Sequence, residues 1–426
     1  MSILPRQQLL HLQYSNLYTV AYRSRLLMSK LQQLGASRQV LEAWILRNDF
    51  KGWDPFDALR SPILSKLTFG SRRLGQILVQ LLKRSPINLR PLVGVQTGYN
   101  PKAMGLFLSS YLRKAQISKS ELDLEKAHFF SNWLQKNRSE GFSGYCWGYN
   151  FDWPNRGFFA FAGTPTSVNT AFIGLSFLDM FEYLKTNGTK DSPNDKRFTM
   201  GMEIARSACD FFLNDLNILE NREGTCFSYT PWDHRYVHNA NVLAASLIAK
   251  VGQISGESRL FDVALSAARY TVHHQRANGE WLYGEGEKDQ WVDNFHTGYV
   301  LVSLRRISKA LLTNEFDDSI SRGYSFWKST FIHSDGSLSY YSNRKYPVDI
   351  HAVSQSILTL LEFSEDDPEA LELAWLIAVW AMKHMQDSKG FFYFQLYPRY
   401  INKIAYMRWA QAWMFKSLIE FEWKMQ

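Results

Sequence analysis

The sequence predicts an all-α chain folded as an (α/α)6 toroid, and three observations carry that expectation. The first is a recurring phrase. Residues Asn278 to Leu304 pass from a tight Asn278-Gly279 turn through a short aromatic strand (Trp281, Tyr283) and a polar loop into a helix opening near Asn294. Gly224, Gly336 and Gly390 open the same phrase, and Gly141 opens a looser copy. The second is the interval: the later four glycines stand 54–57 residues apart, room for two helices and a loop. The third is apolar spacing. Val300, Leu301, Leu304 and Ile307 form one helical stripe, and helix pairs of this kind bury such stripes by stacking on their neighbours. Six pairs close naturally into a ring.

Residues 1–95 are expected to form a basic helical extension packed on a toroid of residues 96–426. They carry 14 Lys and Arg against 4 Asp and Glu, so a charge of about +10 sits there, and the remainder of the +8 chain is slightly negative. Leu74, Ile77, Leu78, Leu81 and Leu82 form an apolar stripe flanked by Arg72, Arg73, Lys83 and Arg84. Such a helix either packs across the toroid with its charges in water or lies on an anionic membrane surface. Ser85 to Leu92 holds two prolines and reads as a strap.

Pro101 opens the first inner helix, with an outer partner at about 121–135. Further inner helices are expected to start near Ser167, His238, His296, His351 and Arg408. Outer ones fall near 198–213, 257–275, 316–330 and 367–386, and Thr186–Asp195 is a solvent loop.

Composition sets outer bounds. With 426 residues, 46% hydrophobic and 15% aromatic, the chain has ample core material. Its many Trp and Tyr gather in the loops after the turns. No run of about 18 apolar residues suggests a membrane span, and the first residues lack the apolar region of a signal peptide. Three cysteines without metal-type spacing suggest a reduced, cytoplasmic protein. No metal, cofactor or nucleic acid is expected; peripheral membrane contact through the basic segment is an alternative to its packing on the toroid.

The inner helices of such a ring run parallel, so their N-termini gather at one mouth and favour an anionic ligand. The mouth loops bring aromatic platforms: Trp153, Trp232, Tyr236, Trp281, Tyr283, Trp291, Tyr340, Tyr393 and Trp409. With His234, Asn239 and Asp349 these suit a sugar, whose C–H faces stack while its hydroxyls hydrogen-bond. A glycan, or a lipid- or nucleotide-linked sugar, is the expected partner. Aligning the repeats places His238, His296 and His351 at one equivalent helix start, where histidines can act as general acid and base. A metal fits less well, since neighbouring helix axes lie roughly 8–10 Å apart while zinc ligands converge within about 2 Å. The catalytic candidates are those three histidines with Tyr283, Glu285, Asp293 and Arg408. Two rival mechanisms remain open. A carboxylate pair drawn from Glu280, Glu285, Asp293, Asp152, Asp233 and Asp349 would hydrolyse a glycosidic bond. A tyrosinate would abstract a uronate proton for elimination or epimerisation.

The Gly-aromatic turns and inner helices resemble the six-hairpin glycosidase and terpenoid-cyclase toroids over residues 96–426. GWDPFDALRSP (52–62), KRSPINLRPLVGV (83–95), YNPKAMGLFL (99–108), YPVDIHAVSQSI (346–357) and NKIAYMRWAQAWM (402–414) look like a bacterial family found with exopolysaccharide and O-antigen biosynthesis genes. That resemblance implies polysaccharide metabolism without supplying a reaction. The chain also resembles N-acylglucosamine 2-epimerases, which implies lumenal histidines acting as acid and base. It departs from terpene cyclases, whose Asp-x-Asp-Asp motif is missing, the nearest string being EFDD (315–318). It departs too from protein prenyltransferase β-subunits, since Cys226 lacks the Asp and His partners of a zinc site.

Overall fold

A computed structural model describes residues 6–155, 157–187 and 196–426. Its helices, in chain order, are α1 (Arg6–Arg47), α2 (Pro62–Leu67), α3 (Arg72–Arg84), α4 (Pro101–Ser118), α5 (Glu121–Lys136), α6 (Ser167–Asn187) and α7 (Lys196–Asn214). There follow α8 (His238–Ser255), α9 (Ser258–His273), α10 (Asn294–Leu311), α11 (Asp317–Phe331), α12 (Ile350–Phe363), α13 (Ala370–Met385) and α14 (Ala412–Lys424). A π-helical turn, Met407–Gln411, leads into α14. Most of the expected solvent loop, residues 188–195, lies outside the described residues.

The ring is an (α/α)6 toroid, as the repeats predict. Each of α4, α6, α8, α10, α12 and α14 packs on the next, and α14 returns to α4. These six make the inner barrel and are buried nearly all round, as the middle layer of a core must be. The outer layer is α5, α7, α9, α11 and α13, and its sixth place is taken by α1, which packs on α13 and α14.

The repeat glycines show why. Gly224, Gly279, Gly336 and Gly390 all have positive φ, which a side chain resists. A Cβ on each would also strike a carbonyl of the adjoining outer helix, at Ser266, Arg322, Leu376 and Val40. Val40 belongs to α1. The ring therefore closes through the start of the chain. Lys30–Glu372 and Arg38–Glu422 ion pairs fasten α1 to α13 and α14.

Helix starts are fixed locally. Asn100 caps α4 ahead of Pro101, Asp293 caps α10 and Asp349 caps α12, each through a side-chain oxygen that accepts a backbone N–H. No helix of the described residues is long and apolar enough to cross a membrane.

Candidate active site at the mouth of the ring

The inner-helix starts can be aligned by hydrogen bonds rather than by residue type. Ser167, His238, Asn294, Ile350 and Met407 each donate a backbone N–H to a carbonyl of an aromatic residue: Tyr229, Tyr283, Tyr340, Phe394 and Trp53. These are the first residues of their helices, with Pro101 in the same place in α4. His238 is thus equivalent to Asn294 and Ile350, not to His296 and His351. The three histidines occupy the first, third and second positions respectively. The residue-type alignment was off because one step on a helix turns a side chain by about 100°.

The position that faces the lumen is the second. Lys102, Val168, Asn239, Phe295, His351 and Arg408 hold it in the six helices, and all six line one cavity of about 730 Å³. Tyr283, Trp291, His296, Tyr340, Trp153 and Trp409 line it too, joined by Tyr149, Tyr229 and Tyr299. From the N-terminal segment come Phe56, Gln76, Gln80 and Lys83.

His296 is the most exposed of the three candidate histidines. Its Nδ1 lies 2.7 Å from Asp293 Oδ2, and that fully buried carboxylate also accepts the Trp291 indole N–H at 2.9 Å. An acceptor at Nδ1 fixes the tautomer and leaves the Nε2 lone pair for the cavity. Phe295 separates it from His351, with ring centroids 4.0 and 4.6 Å away. His351 Nε2 meets the Tyr299 hydroxyl at 2.5 Å, while its Nδ1 has no hydrogen-bond partner among the described residues. Burial, then the nearby Lys102 and Arg408 charges, holds His351 well below the usual imidazole range, so its ring is neutral.

Lys102 was not foreseen. Its ammonium lies over Phe172 (4.3 Å), Trp413 and Tyr299, and it pairs with no carboxylate of the described residues. Burial and Arg408 push it well below the ordinary lysine range. Lys83 sits over Phe56 and Trp409, and burial lowers it to about 8. Arg408 stays charged because Asp54 grips it with both carboxylate oxygens. A π-helical turn carries Arg408, a distortion that recurs at functional sites.

The strings quoted for the polysaccharide-locus resemblance meet here. Trp53 and Asp54 hold the Met407–Arg408 turn, Asp57 holds Arg90 at 2.6 Å, and Asp349 accepts the Trp409 indole N–H at 2.9 Å. Asp349 also accepts from Gln395 and the His351 backbone, and burial raises it to about 6.

Other candidates are turned away from the cavity. The buried His238 ring points to the outer layer, against Tyr270 and His274 of α9 and its flank, and bonds Glu285 at 2.8 Å. Trp281 is buried and donates to the Thr271 carbonyl. The Tyr393 hydroxyl donates to Asp387. Trp232 and His234 are exposed, and Tyr236 lies half-buried beside them.

The cavity wall holds a single carboxylate among the described residues, Glu280, and it is bonded to Arg276 at 3.0 Å. Asp233 is consumed by the turn at Thr230 and Arg235, and Asp152 by the Ala162 N–H. A pair of free carboxylates flanking a glycosidic bond is not formed by these residues. The phenol of Tyr283 is pushed up by burial, which disfavours a tyrosinate at neutral pH.

Neither a family model nor a curated protein sequence matches this chain. Solved structures do. Cellobiose 2-epimerase from Bacillus thermoamylovorans B4167 is 12% identical with a TM-score of 0.59, over 76% of this chain and 87% of that one. A GH76 α-mannanase from Bacteroides thetaiotaomicron is 12% identical with a TM-score of 0.56, over 77% and 87%. Unsaturated glucuronyl hydrolase from Bacillus sp. GL1 is 13% identical with a TM-score of 0.54, over 74% and 84%. At these identities the likeness is one of architecture: the chain shares the (α/α)6 toroid fold with these structures.

Proposed function

We propose that this protein is a sugar-active enzyme that binds an anionic sugar or glycan intermediate at the mouth and moves a proton on a sugar carbon. One observation carries the reading. Two cavity-lining imidazoles flank Phe295 beneath a rim of cations, and the single carboxylate in the wall is already paired. His296, aimed by Asp293, takes the proton from a C–H beside a carbonyl or carboxylate. Arg408, and Lys102 once the bound anion offsets the burial and the Arg408 charge that lower it, stabilise the negative charge that develops on oxygen. For an epimerase the proton arrives on the opposite face through a relay: the Tyr299 hydroxyl passes its proton to the carbon as it takes one from His351 Nε2, and His351 Nδ1 takes one from water, so neither tyrosinate nor imidazolium is left. Loss of a β-substituent instead would make it a lyase. The resemblance to polysaccharide-locus proteins favours a lipid- or nucleotide-linked substrate, with cytoplasmic residence.

Incubation with uronates, sugar phosphates and nucleotide-linked sugars in deuterated water tests this. The expected result is deuterium at one ring carbon, or absorbance near ~232 nm from an unsaturated uronate if elimination prevails. New reducing ends without exchange would overturn the proton-transfer reading in favour of hydrolysis. Binding without any conversion would leave a non-catalytic glycan-binding subunit.

A further inference from the structure

The α3 helix has three faces. Gly75, Val79 and Leu82 are buried, and Gln76, Gln80 and Lys83 line the mouth. Leu74, Ile77 and Leu81, at helical spacing, point to solvent, 40, 54 and 65% exposed. Just before them, Ile63 and Leu67 on α2 and Phe69 in the connecting turn are 55, 50 and 85% exposed. Six large apolar side chains on two touching helices and the turn between them are more than a surface of scattered hydrophobics shows.

The charge beside them has one sign. Lys66, Arg72, Arg73 and Arg84 are exposed around this apolar set, and residues 58–120 contain no Asp or Glu. We infer that the α2–α3 hairpin is a docking surface for an anionic lipid bilayer, its apolar side chains entering the acyl boundary while the basic ones meet lipid phosphates. Two alternatives fit less well. A second copy would bring like charges face to face across a two-fold interface. A helical protein segment needs a groove, and none of the six side chains lines a large cavity of the described residues. Because the same helix walls the mouth, docking places the mouth beside the bilayer. The docking does not depend on which reaction the mouth performs.

Vesicle flotation with the full chain tests it. Wild type should float with phosphatidylcholine vesicles containing about a third phosphatidylglycerol, and not with pure phosphatidylcholine, its binding falling as salt rises. Phe69→Ser/Leu74→Ser/Ile77→Ser should lower the partition coefficient about a hundredfold or more, with unchanged circular dichroism and melting. Lys66→Gln/Arg73→Gln should lower it about tenfold. Equal binding of wild type and the triple variant would overturn the inference. So would absence of anionic-vesicle binding together with concentration-dependent dimerisation that the triple variant abolishes, which would assign the face to a second copy.

Discussion

The two ends of the lumen treat charge in opposite ways. At the end away from the mouth, a second cavity of about 470 Å³ is lined by Arg113, Lys250, Arg306, Lys309, Lys416 and Lys424. Every one of these pairs with a glutamate: Glu420, Glu182, Glu362 or Glu365. At the mouth, Lys83, Arg84, Lys102 and Arg344 have no carboxylate of the described residues within ion-pair distance, while Arg408, Arg235 and Arg276 do. Burying an unpaired cation is costly. The balance at one end, beside a half-buried Lys83 and a buried Lys102 left without such a partner at the other, supports the proposal that an anionic ligand binds at the mouth.

The largest expected effect separates the mouth histidines from the one that faces the outer layer. His296→Asn and His351→Asn should each lower the rate of deuterium exchange about 10²–10⁴-fold, as loss of a general acid or base does. His238→Gln should change that rate only a few-fold, its cost appearing as a lower melting temperature from the lost Glu285 contact. Comparable losses in all three variants would erase the distinction.

Next in size is one substitution made at both ends. Lys102→Met should weaken binding of an acidic sugar about 10–100-fold, the worth of a charge-assisted contact, and leave stability unchanged or higher. Lys416→Met should leave affinity within about twofold and cost about 1–3 kcal/mol of stability, since it leaves Glu420 with Arg113 alone and takes from Ser109 the donor to its hydroxyl oxygen. Paired denaturation and calorimetry read both quantities.

The smallest effect is one of pH. Lys83 is charged below about 8, so affinity for an anion is complete near neutrality and declines as pH rises through 8. A change of a few-fold between about pH 7 and pH 9 is expected in wild type and should be smaller in Lys83→Gln, the remainder belonging to Lys102, which burial also lowers.

Much of the ring was legible because its turns impose a residue type. A positive-φ glycine packed on a helix carbonyl admits no side chain, so Gly224, Gly279, Gly336 and Gly390 mark the repeats openly. The register of the helix starts was not, because that is set by backbone bonds such as His238 N–H to Tyr283 C=O, and these leave no residue signature. The visible histidines then misled by one position in α8 and α10. Lys102 was hidden by a different cause: α4 follows no Gly-aromatic strand, so the first repeat offered nothing to align, although Pro101-Lys102 at a helix start is the same position that Met407-Arg408 holds. The partnership of α1 with α14 joins the two ends of the chain, a relation that the linear order of helix pairs does not display.

The contrast between the two ends is tested most directly by calorimetric titration of an acidic sugar and its neutral counterpart into wild type, Lys102→Met and Lys416→Met. The account predicts at least about tenfold preference for the acid in wild type, declining with salt, lost in Lys102→Met and kept in Lys416→Met. Equal affinity for the neutral sugar, or a preference that Lys416→Met removes and Lys102→Met spares, would contradict it.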